Sequence, residues 1–408
     1  MGLKEDNQNN PKLINTSSIL CFFMKTIKEI DLSGKRVLLR AELNVPLNDR
    51  GDIVDDYRLR LAVPTIKYIL EKGAKQLVIM GHLGRPDGKV VPKLKMDRVA
   101  VRLMKLIGKN VYKVDYCVGK GLPREKIILL ENLRFDSREE ANDEDFAQKL
   151  SVYGDVYVND SFATSHREHA SFAAITKFLP GCIGLRVKEE LENLDIKKMK
   201  HPIVTLIGGA KLKTKIPLIQ AMVVKAEKVL IGGAMIFTFY AADGLEIGKS
   251  MCDTNYLMNA KVMLHNEKLV LPKDVVIADY ENKEAGIRTV AYDKIPKKSI
   301  GLDIGEKSVE EFKKELRKAE TIIWNGPMGY YEKPPFDKAT NELIKTIAEY
   351  DKVKIIGGGD TADAVNKLDL SHKFTFLSSG GGAALEFLSG KKLAAFKALE
   401  ENEINFFS

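Results

Sequence analysis

The stretch 377–388 reads LSSGGGAALEFL, an apolar strand ending that runs through three glycines into a sequence typical of a helix. Because the glycines lack side chains, the backbone amides of Gly380, Gly381 and Gly382 can close around an anion. The helix that follows points its positive N-terminal end at the same place. The stretch therefore predicts a strand, a phosphate-binding loop and a helix, the repeating unit of a parallel α/β sheet.

Four further glycine turns follow the same pattern in the second half of the chain. Each comes after a short apolar run rich in β-branched residues, namely VTLI, VLI, TIIW and KVKII. The turns are Gly208-Gly209, Gly232-Gly233, Asn325-Gly326 and Gly357-Gly358-Gly359. One such loop is weak evidence, but five in one half of a chain predict a nucleotide-binding fold.

The first half also alternates between strands and helices. Strands are predicted at VLLR, QLVIMG, IILLEN and DVYVND, and helices at 62–72, 97–108 and 143–151. This alternation is typical of βαβ units in a parallel sheet. A chain of 408 residues exceeds the size at which one core normally keeps growing, which favours two domains.

The boundary between the domains is predicted at a charged segment. Residues 186–200, RVKEELENLDIKKMK, form a predicted helix long enough to bridge two lobes, and His201-Pro202 restarts the pattern of strands and glycine loops. We therefore assign 24–185 to an N-terminal lobe, 186–200 to an interdomain helix and 201–388 to a C-terminal nucleotide-binding lobe. Residues 1–23 fit no strand or helix pattern and are interpreted as a loose extension, with Met24 as a candidate initiator.

The composition narrows the class of function. The net charge of +8 comes from 64 basic and 56 acidic residues that are interspersed, without an aromatic-rich basic block, so we expect anionic small molecules rather than nucleic acid as partners. The apolar runs are too short to span a membrane and no secretion signal opens the chain, which favours a cytoplasmic enzyme. Cys21, Cys117, Cys182 and Cys252 lack the spacing of a zinc site or a disulfide framework.

Basic residues follow the predicted strands of the first half. Since the carboxyl ends of parallel strands meet at one edge of a sheet, we expect these side chains to converge on one crevice, where arginine forks suit phosphate and carboxylate oxygens. They are Arg58, His82, Arg85, Arg134, His166, Arg167 and His169. A solvated basic face is an equal alternative for any one arginine, but a poor one for four. The histidines are interpreted as hydrogen-bonding partners rather than catalytic bases.

The second half offers charged residues beside its glycine loops. Lys211 and Lys215 in IGGAKLKTK are four residues apart, so they share one face of a helix and can reach a transferring phosphoryl group. Asp360 and Thr361 stand at a predicted helix start, where a carboxylate can hold Mg²⁺ between nucleotide phosphates, although a simple N-cap is the alternative for Asp360. Glu332 is placed to accept ribose hydroxyls.

Other nucleotide and nucleophile motifs are missing. The stretch 244–250, GLEIGKS, has three residues between its glycines where a Walker A loop needs four. No GxGxxG opens the chain and no GxSxG occurs, which disfavours a nicotinamide enzyme and a serine nucleophile.

Taken together, these motifs resemble those of phosphoglycerate kinase from Met24 to the C-terminus. They are LNVP, HLGRP, ENLRF, VND followed by HR, GGAK, TFY, GLDIG, WNGPMG, GGGDTA and SSGGGA, in the family's order. The resemblance implies two Rossmann-like lobes, each a parallel sheet flanked by helices and joined by a hinge helix. It implies reversible phosphoryl transfer between 1,3-bisphosphoglycerate with ADP and 3-phosphoglycerate with ATP, in glycolysis and gluconeogenesis. It also implies Mg²⁺, a monomer, and a segment 389–408 that returns to the N-terminal lobe.

The resemblance also assigns residues by motif. To the acid substrate it gives Glu42, Asn44, Arg58, His82, Arg85, Arg134 and Arg167. To the nucleotide it gives Gly209, Lys211, Lys215, Gly233, Gly301, Leu302, Asn325, Pro327, Glu332, Gly358, Gly359, Asp360 and Thr361, with Asp360 as the metal ligand. The catalytic set is Arg58, Lys211 and the amides of Gly381 and Gly382. Because a carboxylate acceptor is already ionised, this chemistry needs positioning and positive charge rather than a base, and lobe closure about 186–199 to bring the substrates together.

Several positions depart from the family's pattern. Glu42 replaces an aspartate that would contact a substrate hydroxyl, and Gly81 replaces a serine. Thr214 replaces an aspartate between the two lysines, while Phe376 and Ser379 replace histidine and threonine before the final glycine loop. Because the cations and glycines are kept, we expect an active enzyme. A binding protein that has lost the chemistry, another carboxylate kinase and, more distantly, a nicotinamide dehydrogenase are the alternatives.

Overall fold

The computed structural model describes residues 24–407, so the predicted extension 1–23, with Cys21, lies outside the described part of the chain. Two six-stranded sheets dominate that part, and neighbouring strands are parallel in both. The predicted α/β class with two parallel sheets flanked by helices is confirmed. We call the part that carries the first sheet the first lobe and the part that carries the second sheet the second lobe.

The first lobe is built on a sheet with the strand order β3-β4-β2-β1-β5-β6. Its strands are β1 (Arg36–Ala41), β2 (Gln76–Met80), β3 (Tyr112–Lys113), β4 (Ile127–Leu129), β5 (Val156–Asp160) and β6 (Gly181–Ile183). Its helices are α1 (Tyr57–Glu71), α2 (Asp97–Ile107), α3 (Ser137–Glu140) and α4 (Glu144–Ser151), and α5 (Leu185–Leu194) follows the last strand. Every residue of β5 is buried because helices cover both faces of the sheet.

Helix α1 begins five residues before its predicted start at 62. Leu59, Ala62, Ile66 and Ile69 are buried at helical spacing, so the apolar stripe that holds the helix to the sheet already starts at Leu59. As a consequence, Arg58 lies in the first turn of α1 rather than in a loop after a strand.

The predicted interdomain helix 186–200 is wrong as one continuous element. Helix α5 ends at Leu194, and a separate single turn covers Ile196–Lys198. Asp195 breaks the helix because its backbone is extended and its carboxylate caps the next turn by accepting from the amide of Lys197.

The second lobe carries nine strands and eight helices within the described residues. The strands are β7 (Ile203–Ile207), β8 (Lys228–Ile231), β9 (Leu269–Val270), β10 (Asp274–Asp279), β11 (Arg288–Ala291), β12 (Ser299–Ile304), β13 (Thr321–Asn325), β14 (Val353–Gly357) and β15 (Phe376–Ser378). The helices are α6 (Leu212–Lys225), α7 (Ile236–Ala242), α8 (Leu257–Leu264), α9 (Glu306–Lys318), α10 (Lys338–Ala348), α11 (Gly359–Lys367), α12 (Gly381–Leu388) and α13 (Ala394–Phe407). The parallel sheet has the order β15-β14-β13-β7-β8-β9.

A third sheet, of three antiparallel strands in the order β11-β10-β12, was not predicted. Its strand β12 carries Gly301 and Leu302, two residues assigned to the nucleotide by resemblance. The glycine loops and the βαβ rhythm do not predict this sheet, because its strands follow one another without intervening helices.

Helix α13 packs against the first lobe although it follows the second lobe in the sequence. The side chain of Asn402 accepts from the amide of Gly181 at 2.7 Å and donates to the carbonyl of Leu179 at 2.7 Å. The amide of Ala395 donates to the carbonyl of Ser165 at 3.0 Å. No helix among residues 24–407 is long and apolar enough to cross a membrane.

Candidate active site

The two lobes meet at a cavity of about 390 Å³. The first lobe contributes Asn44 and Arg58 to its wall, and the second lobe contributes Gly359, Asp360 and Ser379. Residues predicted to bind the acid substrate and residues predicted to bind the nucleotide therefore line one space.

Arg58 is held at the first-lobe side of this cavity. Its Nη1 donates to Glu42 Oε1 and to the carbonyl of Asn44, both at 3.1 Å. The side chain of Arg58 remains 28% exposed, so the guanidinium is fixed on one side and open on the other.

Glu42 is buried and its second carboxylate oxygen is also occupied. Oε2 accepts from Ser161 Oγ at 2.8 Å and from Thr164 Oγ1 at 3.4 Å. The carboxylate that was expected to face a substrate hydroxyl is thus engaged by three protein side chains.

Arg40 is a functional candidate that the sequence analysis missed. It is fully buried, its Nε donates to Ser171 Oγ at 3.0 Å and its Nη2 donates to His82 Nδ1 at 3.1 Å. Its guanidinium stacks over the ring of Phe172 at 4.6 Å. The signal was an arginine inside VLLRA, because a charged residue in a fully buried strand needs partners in the fold.

His82 is neutral in this setting. Burial, and then the neighbouring charge of Arg40, lower the pKa of His82 well below its usual value. Because arginine only donates, Nδ1 of His82 accepts and the ring proton sits on Nε2. The hydrogen bond of His82 fits the predicted role, whereas Nδ1 of His166 and Nδ1 of His169 are buried without a hydrogen-bond partner among the described residues, so for these two the role stays a prediction.

Arg134 and His169 extend the same basic cluster. Arg134 is buried, and its Nη1 donates to the carbonyl of Gly84 at 3.1 Å. Burial, with the charges of Arg134 and Arg40, lowers the pKa of His169 to about 3, so His169 is neutral near pH 7. Glu139, fully buried, accepts from Ser171 Oγ at 2.6 Å and supplies a counter-charge.

Two other predicted first-lobe residues lie further out. Arg85 and Arg167 are exposed, and neither is among the described residues that line the interlobe cavity. Asn44 has a structural task as well, since its side-chain oxygen accepts from the amide of Gly84 at 2.9 Å and ties the LNVP and HLGRP segments together.

A second cavity, also of about 390 Å³, lies within the second lobe. Its wall contains seven residues assigned to the nucleotide: Gly209, Gly233, Gly301, Leu302, Pro327, Glu332 and Asp360. Phe237, Ile300 and Met328 supply apolar surface beside them. Asp360 lines both cavities, so the two spaces adjoin at this residue.

The glycine loops of the second lobe cross at close range. A Cβ on Gly208 would lie 2.1 Å from the carbonyl oxygen of Pro327, so only glycine fits there. The amide of Gly326 donates to Thr361 Oγ1 at 2.7 Å, and Asn325 Nδ2 donates to the carbonyl of Gly357. Thr361 and Asn325 are buried and hold the loops in place.

The two predicted lysines differ in environment. Lys215 Nζ donates to Asn325 Oδ1, and burial lowers the pKa of Lys215 to about 8, an effect that the charge of Asp360 opposes. Lys211 is exposed at the position before α6 and is not among the described residues that line either cavity.

The glycine loop at 380–382 lies where the lobes touch. A Cβ on Gly380 would lie 2.7 Å from a ring carbon of Phe162, and one on Gly382 would lie 3.1 Å from His166 Nε2. Helix α12 begins at Gly381, so its positive end is directed to this junction. Gly358 and Gly359 belong to the neighbouring loop, because a Cβ on Gly381 would be 3.8 Å from the amide nitrogen of Gly359.

Helix α5 links the two lobes next to that loop. Glu190 accepts from Ser378 Oγ at 2.7 Å and from the amide of Ser379 at 2.8 Å. Arg186 Nη2 donates to the carbonyl of Leu377 at 2.9 Å, and its guanidinium lies 4.8 Å from the ring centre of Phe376. Phe376, to which the sequence analysis gave no role, is thus a cation–π partner at the interlobe link.

The N-terminal end of α5 is fixed to the first lobe. Asp160 Oδ1, at the end of β5, accepts from the amides of Arg186 at 2.8 Å and Val187 at 3.3 Å. Burial raises the pKa of Asp160 to about 7.

Fold and site together are those of a two-lobed phosphotransferase, with a basic face on the first lobe opposite a glycine-rich face on the second. The model of one protein family, described as phosphoglycerate kinase, matches residues 27–391. A phosphoglycerate kinase of Dictyoglomus turgidum is 45% identical over 390 residues, which cover 92% of this chain and 98% of that protein. A chloroplastic phosphoglycerate kinase of Volvox carteri is 44% identical over 91% of this chain and 84% of its own length.

Solved structures agree with these relatives. Phosphoglycerate kinase from Coxiella burnetii superposes with a TM-score of 0.81 at 34% identity, over 93% of this chain and 99% of its own. The enzyme from Pyrococcus horikoshii OT3 gives a TM-score of 0.82 at 28% identity, over 94% of this chain and all of its own. The chain belongs to the phosphoglycerate kinase family, and it is a phosphotransferase with a carboxyl group as acceptor. The comparisons support none of the alternative functions.

Proposed function

We propose that the interlobe cavity is where the γ-phosphoryl group of ATP passes to the carboxylate of 3-phosphoglycerate, and returns from 1,3-bisphosphoglycerate to ADP. The observation that carries this proposal is the shared wall, in which Arg58 and Asn44 stand across from Gly359, Asp360 and Ser379. Two substrates held on separate lobes can meet only in such a space.

The acid substrate belongs to the first lobe. Its phosphate would be attracted by the buried cluster of Arg40, His82 and Arg134, with the exposed Arg85 and Arg167 completing the positive face. His82 would donate from Nε2, because Nδ1 is taken by Arg40. Arginine forks bind phosphate and carboxylate through paired hydrogen bonds, which suits a ligand that carries both groups.

The nucleotide belongs to the second lobe. Gly301 and Leu302 would lie near the adenine, and Glu332 would accept ribose hydroxyls. The amides around Gly209, Gly233, Gly358 and Gly359 would bind phosphate oxygens. Lys215, Asn325, Pro327 and Thr361 would hold those loops, as their contacts indicate.

In the transfer itself a carboxylate oxygen of 3-phosphoglycerate forms a bond to the γ-phosphorus as the bond to the bridging oxygen of ADP breaks. The acceptor is already ionised, so no side chain has to remove a proton. Arg58, Lys211 and the amides of Gly381 and Gly382 would bind the equatorial oxygens on which negative charge is spread. One such donor lowers the barrier by about 3 kcal/mol.

The residues also fit a magnesium ion. Mg²⁺ in kinases is held by one or two carboxylates together with substrate phosphates, and Asp360 offers an exposed carboxylate at the start of α11 where the two cavities meet. No group of three or more potential ligands occurs in residues 24–407, which fits an ion that depends on the nucleotide. When bound, the ion would neutralise charge between the phosphates.

The lobe boundaries 24–185 and 201–388, with α5 as the hinge, are part of the proposal, as is the return of 389–408 to the first lobe. Contacts of α5 with both sheets and of α13 with β6 support them. We further propose a cytoplasmic monomer, which follows from the resemblance to the family and from the lack of a secretion signal in the sequence. The Volvox relative, named as chloroplastic, indicates that location differs within the family.

The test is magnesium-ATP-dependent phosphorylation of 3-phosphoglycerate, coupled to a reductive readout, for the wild type and Lys211→Ala. We expect activity in the first and a loss of about two orders of magnitude in kcat in the second. Lys213→Ala, which removes an exposed lysine two residues away, is the matched control and should be near normal. A folded wild type that binds ATP without phosphorylating 3-phosphoglycerate would overturn the proposal.

A further inference from the structure

We propose that Glu42 is a positioning residue that fixes the guanidinium of Arg58 in the interlobe cavity before any substrate binds. The proposal rests on the role proposed above for Arg58. It gives a task to the residue at which this chain departs from the aspartate that is usual in the motif.

The first support is the way Arg58 is held. One nitrogen, Nη1, donates to two acceptors, Glu42 Oε1 and the carbonyl of Asn44, each at 3.1 Å. Two acceptors on one nitrogen define the plane of the guanidinium as well as its position. Arg58 still lines the cavity together with Gly359 and Ser379 of the second lobe, and its side chain remains 28% exposed.

The second support is that Glu42 is itself immobilised. Its side chain is 6% exposed, and Oε2 accepts from Ser161 Oγ at 2.8 Å and Thr164 Oγ1 at 3.4 Å. The two hydroxyls thus hydrogen-bond to one carboxylate oxygen, and Arg58 hydrogen-bonds to the other. A buried, fully engaged carboxylate is a rigid anchor, unlike an ion pair in solvent.

The third support is the length of the side chain. Aspartate is shorter by one carbon–carbon bond, about 1.5 Å. A carboxylate withdrawn by that distance cannot reach the hydroxyls of Ser161 and Thr164 on one side and Arg58 on the other. The additional methylene group of Glu42 therefore makes the bridge possible.

Fixing Arg58 in advance affects the rate because ordering one long side chain costs up to about tenfold in a rate or equilibrium constant. If Arg58 acts chiefly on the transition state, that cost falls on kcat rather than on substrate binding. Because Glu42 already orders Arg58 in the folded protein, the entropy of ordering that side chain is lost on folding rather than in the transition state.

The kinetic test compares Glu42→Gln with Glu42→Asp. Glutamine keeps the length and an acceptor oxygen for Arg58 but loses the charge, while aspartate keeps the charge but loses the length. We expect kcat to fall in the order wild type, Gln, Asp, with Asp lower by about three- to tenfold and the KM for ATP within about twofold. A ranking with Asp above Gln would show that charge or a substrate contact matters instead, and would overturn the inference.

A second test needs no turnover. The guanidinium nitrogen signals of Arg58, assigned by their loss in Arg58→Lys, report the mobility of that side chain in the substrate-free protein. We expect Arg58 to be rigid in the wild type and as mobile in Glu42→Asp as the exposed Arg317. Equal mobility in the two proteins would overturn the inference even in a fully active enzyme. A rigid Arg58 in a protein without kinase activity would instead count against the proposed function alone.

Discussion

In the proposed reaction the two lobes would bind phosphate in different ways. The first lobe uses charged side chains, of which Arg40 and Arg134 are buried and tied to neighbours by hydrogen bonds. The second lobe uses backbone, in loops so close that a Cβ on Gly208 would lie 2.1 Å from a carbonyl oxygen. Side chains supply full charges at the cost of anchoring them, whereas amides supply partial charges already fixed by the fold. The difference predicts that binding in the first lobe is most sensitive to substitutions that remove a charge. Binding in the second lobe should be most sensitive to substitutions that add a side chain to a glycine.

The largest effect on activity is expected when the charge of Arg58 in the interlobe cavity is removed. Arg58→Ala should lower kcat by about 10²- to 10³-fold with little change in the KM for ATP, because Arg58 lines the interlobe cavity and is not among the described residues that line the second-lobe cavity. Steady-state kinetics measure this. Arg60→Ala, two residues along α1 and exposed, should be close to wild type, and an equal loss there would mean that the helix rather than the cation is at fault.

Space in the second lobe can be tested without touching any charge. Gly208→Ala should cost about 1–3 kcal/mol of stability and weaken ATP binding, since the new methyl group forces the Pro327 loop away. Thermal unfolding and nucleotide titration follow the two effects. Gly121→Ala is the control, because a Cβ there meets no atom within 4 Å; identical melting of both variants would contradict the close crossing of the loops.

The pH dependence of activity tests the second lobe, because its lysine Lys215 titrates near neutral pH whereas the arginines of the first lobe stay charged. Burial lowers the pKa of Lys215 to about 8, so this lysine loses its charge as the pH rises above 8, and kcat/KM for ATP should then fall by up to about tenfold per pH unit. Lys215→Arg should remove the decline because a guanidinium stays charged. A decline that persists in Lys215→Arg would assign it to another group.

The smallest effect is expected at the link between the lobes. Phe376→Leu keeps an apolar side chain but removes the ring under Arg186, and should lower stability by about 0.5–1 kcal/mol more than the same change at a buried ring without such a contact. Differential scanning calorimetry of this variant and of Phe374→Leu, whose ring faces Lys354 at 6.0 Å, provides the comparison. Equal decreases of the melting temperature in the two variants would show that the contact with Arg186 adds no stability of its own.

How far the sequence predicts this molecule depends on the range of the interactions. The glycine loops and the βαβ rhythm are local patterns, and they predict both parallel sheets and place glycine loops that line the second-lobe cavity. Arg40 was missed because its partners His82 and Ser171 are far along the chain, and no local signal says that a buried arginine is satisfied. The break in α5 at Asp195 was missed because the acidic and basic residues on either side continue a helical pattern. The pairing of Glu42 with Arg58 depends on a distance that no motif records.

The hydrogen bonds of Asn402 have a consequence for the order in which the protein is made. Gly181 precedes Asn402 by 221 positions, so the ribosome completes the first sheet long before it makes the side chain that satisfies the backbone at its edge. Until then the amide of Gly181 and the carbonyls of Thr176 and Leu179 lack the hydrogen bonds that Asn402 supplies, and surface that α13 later covers stays open to chaperones. The first lobe can therefore begin to fold early in synthesis, but its last hydrogen bonds form only after the C-terminal helix has been made.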